Sequence, residues 1–206
     1  MTFDEERNAL IDRLADRENL SESTEMALRS VPRHEFVPEL KQAAAYSDKP
    51  LPIGEGQTIS APHMVAIMTD LLDLSPGDTV LEIGTGCGYH VAVTATIVGG
   101  EHTYSIEYHE RLAKQARKTL NHCGHSAISL RHGDGRDGWP EHGPYDRIYL
   151  TCAASSFPDC LIEQLRDGGL ILGPLGDRTQ VLTTAHKSGT KLERERHGQV
   201  RFVPFK

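Results

Sequence analysis

The sequence predicts an α/β fold with a mostly parallel sheet, helices on both faces, an antiparallel C-terminal edge and additional N-terminal helices. Three observations predict it. Between residues 79 and 175, short apolar runs alternate with helical patterns over short connections, which is typical of parallel strands buried on both faces. After residue 178, strand-like segments follow one another without helices, and before residue 63 helical patterns dominate. We interpret residues 1–206 as a single domain, with N-terminal helices and a loop over 1–62 and the core over 63–206.

The N-terminal part contains three helical patterns. They cover Phe3 to Glu18, Glu22 to Ser30 and Pro38 to Tyr46, and Ser21 is a possible N-cap of the second. The stretch that follows, "SDKPLPIGEGQTISAP" over 47–62, is neither helix-periodic nor alternating, so it predicts a long loop. A loop of that length in a compact domain is usually functional.

The next pattern predicts a helix that begins at Pro62, because proline suits the first helical position. Five apolar side chains then recur at helical spacing, namely Met64, Ile67, Met68, Leu71 and Leu72. The alternating region predicts strands over 79–83, 102–107, 127–131, 146–151 and 169–175. It predicts helices from Tyr89, from His109 to about Asn121, and from Pro158 to Arg166. The last strands are expected over 179–187, 191–196 and 199–205.

Composition and charge exclude several classes of function. The chain has 29 acidic and 22 basic residues, and no run of Lys or Arg is longer than two, so we expect no nucleic-acid partner. The acidic N-terminus lacks a signal-peptide pattern and no apolar window approaches 18 residues, which predicts a cytoplasmic protein without membrane contact. The four cysteines form no CxxC pair and should be reduced. The histidine-rich stretch over 121–125 favours a solvated turn over a metal site, so no metal is expected.

The stretch "VLEIGTGCGYH" over 80–90 places three glycines between a predicted strand and a predicted helix. A dinucleotide fingerprint starting at Gly84 would need glycine at position 89, which is Tyr89, and no P-loop Gly-Lys-Ser/Thr follows. Glu107 ends the next strand and could accept the hydroxyl protons of an unphosphorylated ribose. A tight turn without a ligand is the alternative for the glycines.

A nucleoside that carries an amino acid suits this pattern. Backbone amides of the glycine loop and the helix N-terminus would face its carboxylate, and acidic groups such as Glu82 would face its ammonium. The sequence therefore predicts S-adenosylmethionine as the cofactor, with S-adenosylhomocysteine as its product. Asp134, after the third strand, could accept from the adenine amino group while Gly135 leaves room for the ring, and an Asx turn is the alternative for Asp134.

From about Ser21 to the C-terminus, the chain resembles the protein-L-isoaspartate O-methyltransferase family. The similar segments are "VPRHEFVP", "LPIGEGQTISAPHMVAIM", "VLEIGTGCGYH", "HGDGRDGWPEHGPYDRIYLTCAA" and "VRFVPF", in the family's order and spacing. The glycine loop marks only the broad class of Rossmann-like class I methyltransferases, whereas "LPIGEGQTIS" is specific to the family. Ser155 departs from the family, which often has proline after the small-residue run.

The resemblance implies a protein repair reaction on age-damaged proteins and peptides. A methyl group passes from S-adenosylmethionine to the free α-carboxylate of an isoaspartyl residue, and this substrate is already ionised at neutral pH, so no catalytic base is required. The alternatives are carboxyl methylation of a small molecule or dedicated peptide, and a non-catalytic module that binds damaged proteins. We expect a monomer.

The resemblance also implies roles for individual residues. Ser60 is expected to orient the acceptor carboxylate as the catalytic residue, although a serine there could instead cap the helix at Pro62. The stretch around it is expected to act as a lid over the cofactor. The expected cofactor-binding residues are Gln57, Thr58, His63, Glu82, Gly84, Thr85, Gly86, Gly88, Glu107, Tyr108, Asp134, Gly135 and Thr151. The expected substrate-binding residues are Ile59, Ser60, Ala153, Ala154, Val200, Arg201 and Phe202, and an ordinary edge strand is the alternative for the last three.

Overall fold

A computed structural model describes all residues from 1 to 206. Its helices are α1 (Phe3–Glu18), α2 (Glu22–Ser30), α3 (Pro62–Leu71), α4 (Tyr89–Val98), α5 (Glu110–His122) and α6 (Asp159–Gln164). Its strands are β1 (Leu51–Gly54), β2 (Gln57–Ile59), β3 (Val80–Ile83), β4 (Thr103–Glu107), β5 (Ser129–His132), β6 (Tyr145–Leu150), β7 (Leu165–Leu175), β8 (Gln180–Ser188) and β9 (Lys191–Val200). None of the helices is both long and apolar enough to cross a bilayer.

Seven strands form one sheet in the order β5-β4-β3-β6-β7-β8-β9. The first five strands in this order run parallel to one another. Strands β8 and β9 pair antiparallel at one edge. The predicted fold class is therefore confirmed. The chain runs outward from β3 through β4 to β5 and then returns to β6 on the other side of β3, so the strand order reverses beside β3. Ligands of open α/β sheets bind at such a reversal, beyond the carboxyl ends of the strands.

The N-terminal helices pack over one face of this sheet. Thr2 and Glu5 form a reciprocal capping box at the start of α1, and the Ser21 hydroxyl accepts from the Thr24 amide at the start of α2. Both helices have the predicted bounds. Eight of the ten residues of α4 are buried, because this helix lies between the sheet and α2. A helix that is apolar on every side is typical of such an interior position.

Two predictions for the segment before α3 are wrong in detail. The helix expected over 38–46 is a short 3-10 helix, Glu39–Ala44, in which no residue is buried, so packing does not stabilise an α-helix there. The expected loop over 47–62 contains the antiparallel hairpin β1–β2. An irregular register between Pro52 and Gly54, with Glu55 at φ 51° in the turn, disturbs the alternation by which strands are recognised.

The C-terminal third also differs from the expected pattern. The helix predicted from Pro158 to Arg166 is shorter, because β7 begins already at Leu165. The two strands predicted over 191–196 and 199–205 are replaced by the single strand β9, which ends at Val200. Residues 201–206 leave the sheet and cross over the ends of β3 and β6, where Pro204 pairs with Ala153. The division into an N-terminal part over 1–62 and a core over 63–206 stays a prediction.

Candidate active site

The glycine loop lies where the strand order reverses. Gly84 has φ 97°, and a Cβ atom there would collide with the Thr151 hydroxyl, so only glycine lets β3 and β6 end this close together. Gly88, at φ 92°, is the N-cap of α4, and a Cβ atom there would lie 3.2 Å from Leu120 Cγ. The loop thus presents backbone between the strand ends, while Gly88 serves the packing of α4 against α5.

Glu107 is fixed at the end of β4 by backbone donors. Its Oε2 accepts from the Gly86 amide at 2.7 Å and its Oε1 accepts from the His109 amide at 2.9 Å. The side chain is 4% exposed. Each oxygen keeps one lone pair, so the carboxylate can still accept two hydroxyl protons from one side. This is the geometry that a ribose with two free hydroxyls requires.

A first cavity, of about 530 Å³ including its open mouth, begins at Glu107. Ile83, Ile106 and Phe205 contribute apolar walls, and at Gly135 a Cβ atom would collide with Ile83 and lie 3.3 Å from the Phe205 ring. The complete lining is Gln57, Thr58, Ile83, Gly84, Gly86, Ile106, Glu107, Tyr108, His109, Gly135, Thr151, Cys152, Val203, Pro204, Phe205 and Lys206. A flat base between apolar walls and a ribose on Glu107 fit this space.

Asp134 is arranged differently from its neighbour Gly135. Its Oδ1 accepts from the Arg136 amide and its Oδ2 accepts from the Arg136 guanidinium, both at 2.9 Å. The side chain is 36% exposed and is absent from the lining of the first cavity. Asp134 thereby caps the short 3-10 helix Gly135–Asp137, which corresponds to the alternative of a local turn.

A second cavity adjoins the first and measures about 1000 Å³ including its open mouth. The two cavities share Thr58, Thr151 and Val203. The remaining lining consists of Pro50, Ser60, Ala61, His63, Met64, Gln199, Val200, Arg201 and Phe202. Three of the residues predicted to bind substrate, Val200, Arg201 and Phe202, therefore lie along the same cleft as Ser60.

Ser60 lies between β2 and α3, where the second cavity meets a third. It lines the second cavity and also a third, smaller cavity with Glu82, Thr85 and Tyr89. The helix-capping alternative does not apply, because Ala61 occupies the N-cap position of α3 and no side chain caps this helix. The Ser60 hydroxyl has no hydrogen-bond partner within the protein, and its carbonyl oxygen accepts from Arg33 at 2.7 Å.

His63 is held at the rim of the second cavity by Asp48. The Asp48 Oδ1 accepts from the His63 amide at 2.9 Å and lies 2.8 Å from His63 Nδ1. The other Asp48 oxygen accepts from Arg17 at 3.1 Å. His63 thus faces the second cavity, and it is absent from the lining of the first.

Glu82 is a fully buried carboxyl group on β3, with no cation within salt-bridge distance. Its oxygens accept from the hydroxyls of Ser105 at 2.6 Å and Tyr149 at 2.9 Å. Burial raises the pKa of Glu82 to about 8, although the Ser105 and Tyr149 hydrogen bonds oppose the shift. Thr85 extends the network through Ser105. The carboxyl group faces the third cavity, where a positively charged ligand group would favour its ionised form.

The remaining predicted site residues are Tyr108, Ile59, Ala153 and Ala154. Tyr108 lines the first cavity and is 50% exposed, whereas Ile59 is buried and lines the third cavity. Ala153 holds the C-terminal segment, because its amide donates to Val203 and its carbonyl accepts from Phe205, both at 2.8 Å. Ala154 forms a similar bridge with Leu175. Neither alanine lines the cavities described above.

Sequence reasoning missed several residues of the site. His109 and the segment Val203–Lys206 line the first cavity, whereas only the preceding residues Val200, Arg201 and Phe202 were predicted at the site, on the substrate side. Phe205 carries the one available signal, since a bulky aromatic side chain near a chain end often packs over an apolar wall. Arg33 lies in the quoted segment "VPRHEFVP", but its burial was not predicted, because arginine is ordinarily exposed.

The hairpin β1–β2 lies over the mouth of the first cavity. Gln57 Nε2 lies 3.5 Å from His109 Nε2, and Glu55 in the turn lies 3.4 Å from Arg111 and 3.9 Å from His109. These contacts connect the hairpin to the start of α5. Exposed contacts of this kind contribute little free energy, so the hairpin is held mainly by Leu51, Ile53 and Ile59, which are buried in the core.

Comparisons with known proteins show consistent similarities. A sequence model of the family described as protein-L-isoaspartate(D-aspartate) O-methyltransferase matches residues 5–206. The chain is 51% identical over 208 residues to protein-L-isoaspartate O-methyltransferase 2 of Archaeoglobus fulgidus, a match that covers 100% of this chain and 95% of that protein. It is 48% identical to the protein-L-isoaspartate O-methyltransferase of Methanothermobacter thermautotrophicus, with 98% and 95% covered.

Solved structures have the same fold. One protein-L-isoaspartate O-methyltransferase superposes with a TM-score of 0.87 at 29% identity, over 96% of this chain and 65% of that chain. A putative protein-L-isoaspartate O-methyltransferase of Plasmodium falciparum, solved in complex with S-adenosyl-L-homocysteine, superposes with a TM-score of 0.85 at 24% identity, over 97% and 98%.

Proposed function

The chain belongs to the protein-L-isoaspartate(D-aspartate) O-methyltransferase family, and we propose here how its own residues carry out the reaction of that family. The activity is an S-adenosylmethionine-dependent methylation of isoaspartyl residues in proteins. One observation carries the assignment of roles. The first and second cavities adjoin through the shared residues Thr58, Thr151 and Val203, and Ser60 lines the second cavity and the third.

The first cavity holds the cofactor in this proposal. Glu107 accepts the ribose hydroxyl protons, the apolar walls with Phe205 enclose the adenine above Gly135, and the backbone of Gly84–Gly86 approaches the chain that follows the ribose. Glu82 faces the third cavity and loses its proton when the positively charged ammonium group of the cofactor binds there. When bound, S-adenosylmethionine supplies a methyl group on a positively charged sulfur, which is already a good leaving group.

The second cavity holds the acceptor. Ser60 donates its hydroxyl proton to one oxygen of the substrate carboxylate, so that the other oxygen points toward the first cavity. Val200, Arg201 and Phe202 lie along the cleft beside the substrate chain. An acceptor with a pKa of about 3.5 to 4 is ionised at neutral pH, so the protein removes no proton. Orientation and exclusion of water then account for the acceleration.

Peptide pairs test the proposed substrate. The wild-type protein is incubated with methyl-labelled S-adenosylmethionine and two peptides that differ only in an isoaspartyl or an aspartyl linkage. We expect label in the isoaspartyl peptide alone, as a base-labile methyl ester. Equal labelling of both peptides would indicate general carboxyl methylation and contradict the repair function. No labelling by a protein that binds the cofactor would indicate a non-catalytic binding module.

We also propose the setting in which the protein acts. It is a cytoplasmic monomer that meets damaged proteins directly, without nucleic acid or membrane as a partner. The excess of 29 acidic over 22 basic residues supports the absence of a nucleic-acid partner. Sedimentation at several protein concentrations tests the monomer, since a dimer would increase the sedimentation coefficient with concentration.

A further inference from the structure

Arg33 is a buried arginine without an acidic partner. It lies in the 3-10 helix Arg33–Phe36 and is 1% exposed. Its Nε donates to the Ala45 carbonyl at 2.9 Å and its Nη2 donates to the Ser60 carbonyl at 2.7 Å. The guanidinium lies 5.0 Å from the centre of the Tyr89 ring, and Nη1 has no partner. An arginine remains protonated in proteins, so this position holds a positive charge.

No contacting carboxylate neutralises this charge. Asp48 is the nearby acidic side chain, but its oxygens are already bonded to His63 and Arg17. Desolvation lowers the pKa of Arg33, which reflects the unfavourable environment of the charge. A buried and incompletely paired charge costs free energy, so its presence at this position is poorly explained by stability alone.

The position of Arg33 connects it to the reaction. Its partner Ser60 and its neighbour Tyr89 both line the third cavity, so the guanidinium lies directly behind the wall of the site. A planar guanidinium that bonds two carbonyls fixes their separation, here between Ala45 at the end of the Glu39–Ala44 helix and Ser60, which precedes the N-cap residue of α3. The backbone of Ser60, and with it the direction of its hydroxyl, depends on this bond.

We propose that Arg33 is a positioning residue for methyl transfer, which fixes the Ser60 backbone and attracts the acceptor carboxylate through its unpaired charge. This inference rests on the proposed function of Ser60. In the transfer, an acceptor oxygen donates an electron pair to the methyl carbon while the carbon–sulfur bond breaks toward sulfur, and no proton moves. The carboxylate begins with a full negative charge and ends as a neutral ester.

This change of charge separates the two effects of Arg33. A nearby positive charge stabilises the ionised acceptor more than the transition state, in which that charge is already declining, so the charge of Arg33 favours substrate binding. Fixing the Ser60 hydroxyl favours the rate of the bound complex instead. Arg33→Met removes both effects. Arg33→Lys keeps the charge but cannot bond both carbonyls in the same plane.

Three measurements on the full-length protein test the inference. They are the affinity for S-adenosylhomocysteine by calorimetry, the affinity of the product-loaded protein for the isoaspartyl peptide, and the single-turnover rate of methyl transfer. Leu28→Ala is the matched control, because Leu28 is buried in the same core cluster as Tyr89 but lines none of the three cavities described above. This variant should melt at a lower temperature with both peptide affinity and rate unchanged.

We expect Arg33→Met to bind S-adenosylhomocysteine within about twofold of wild type, to bind the peptide about tenfold more weakly, and to react about 10- to 100-fold more slowly. Arg33→Lys should recover peptide binding while the rate stays low. A wild-type rate in Arg33→Met, or losses that only parallel those of Leu28→Ala, would assign Arg33 a purely structural role. Equal peptide affinities in Arg33→Met and Arg33→Lys would overturn the charge effect. Absence of methylation by the wild-type protein would instead contradict the proposed function, so the two failures are distinct.

Discussion

At the scale of single residues, two carboxyl groups at neighbouring strand ends have opposite surroundings. Glu107 accepts from two backbone amides, which hold it as a fixed acceptor facing the first cavity. Glu82 accepts only from two hydroxyls and is fully buried, so its pKa rises to about 8. The same residue type thus accepts from backbone amides in one place and ionises in response to a ligand in the other.

The raised pKa of Glu82 predicts a pH-dependent stability of the ligand-free protein. An unfolded chain releases the proton near pH 4.5, whereas the folded chain retains it to about pH 8, so the contribution of Glu82 to stability is complete below pH 4.5 and decreases between these values. Glu82→Gln removes this titration. We expect the free energy of unfolding of Glu82→Gln, relative to wild type, to increase from pH 5 to pH 8 in urea titrations. A constant difference between the two proteins would show that Glu82 is ionised in the folded state.

Ser60 should orient the acceptor carboxylate without taking up or releasing a proton. In Ser60→Ala we expect single-turnover transfer to slow by about 10- to 100-fold, with affinity for S-adenosylhomocysteine nearly unchanged. The rate with saturating cofactor should stay flat from about pH 6 to 8 in both proteins, because the acceptor is already ionised. A rise with an apparent pKa near 6.5 would point to a histidine base, with His63 as the candidate that faces the same cleft.

Gly86 permits a test of the backbone approach. The residue has φ 57°, so Gly86→Val introduces backbone strain as well as a branched side chain at the cavity. Gly124→Val is a matched control, since Gly124 has φ 84° with nothing within 4 Å of a Cβ atom and lies outside the cavities described. We expect both variants to lose some stability, but only Gly86→Val to lose measurable binding of S-adenosylhomocysteine in calorimetry. Equal affinity of both variants for S-adenosylhomocysteine would contradict the assignment of the glycine loop to the cofactor site.

At the scale of elements, the C-terminal segment contributes to both cavities. Its first part, Val200 to Phe202, lines the second cavity, and its last part, Val203 to Lys206, lines the first. The Gln180 side chain fixes the transition by bonding both the amide and the carbonyl of Phe202. The segment is therefore a shared wall rather than the strand that its apolar pattern suggested.

This shared wall predicts that two aromatic substitutions weaken the binding of different ligands. Phe205→Ala should weaken binding of S-adenosylhomocysteine by about tenfold, since one apolar wall of the first cavity is lost. Phe202→Ala should weaken binding of the isoaspartyl peptide and leave cofactor affinity largely intact. Calorimetry with each ligand on each variant gives the four values. Parallel losses of both affinities in both variants would mean that the segment acts only through folding.

The sequence predicted elements well where local interactions decide their ends. The bounds of α1 and α2 follow from caps at Thr2 and Ser21, which are short-range and therefore visible in the sequence. The hairpin β1–β2 was missed because an irregular register near Gly54 and positive φ at Glu55 break the alternation. The last part of the C-terminal segment, Val203–Lys206, was missed because its partners, Ala153 and Gly135, are distant in sequence. Arg33 was missed because its partners are backbone carbonyls, which no side-chain pattern reveals.

At the scale of the whole molecule, ligand specificity should appear in thermal stability. Binding to the folded state alone stabilises it in proportion to the logarithm of ligand concentration. At 100 times its dissociation constant, S-adenosylhomocysteine should raise the melting temperature by about 5 to 10 °C for a chain of this size. NAD should produce no shift, because Tyr89 stands where a dinucleotide loop requires glycine. A comparable shift with NAD would overturn the cofactor assignment.

The outer strand β9 has a consequence for how the protein behaves at high concentration. It pairs only with β8, so its other side offers unpaired backbone groups on which a foreign strand could align. Five of the six residues over 191–196 are charged, namely Lys191, Glu193, Arg194, Glu195 and Arg196. Charges on an outer strand oppose such alignment and the aggregation that follows. A protein that methylates isoaspartyl residues of other proteins thereby resists pairing its outer strand with the chains that it modifies.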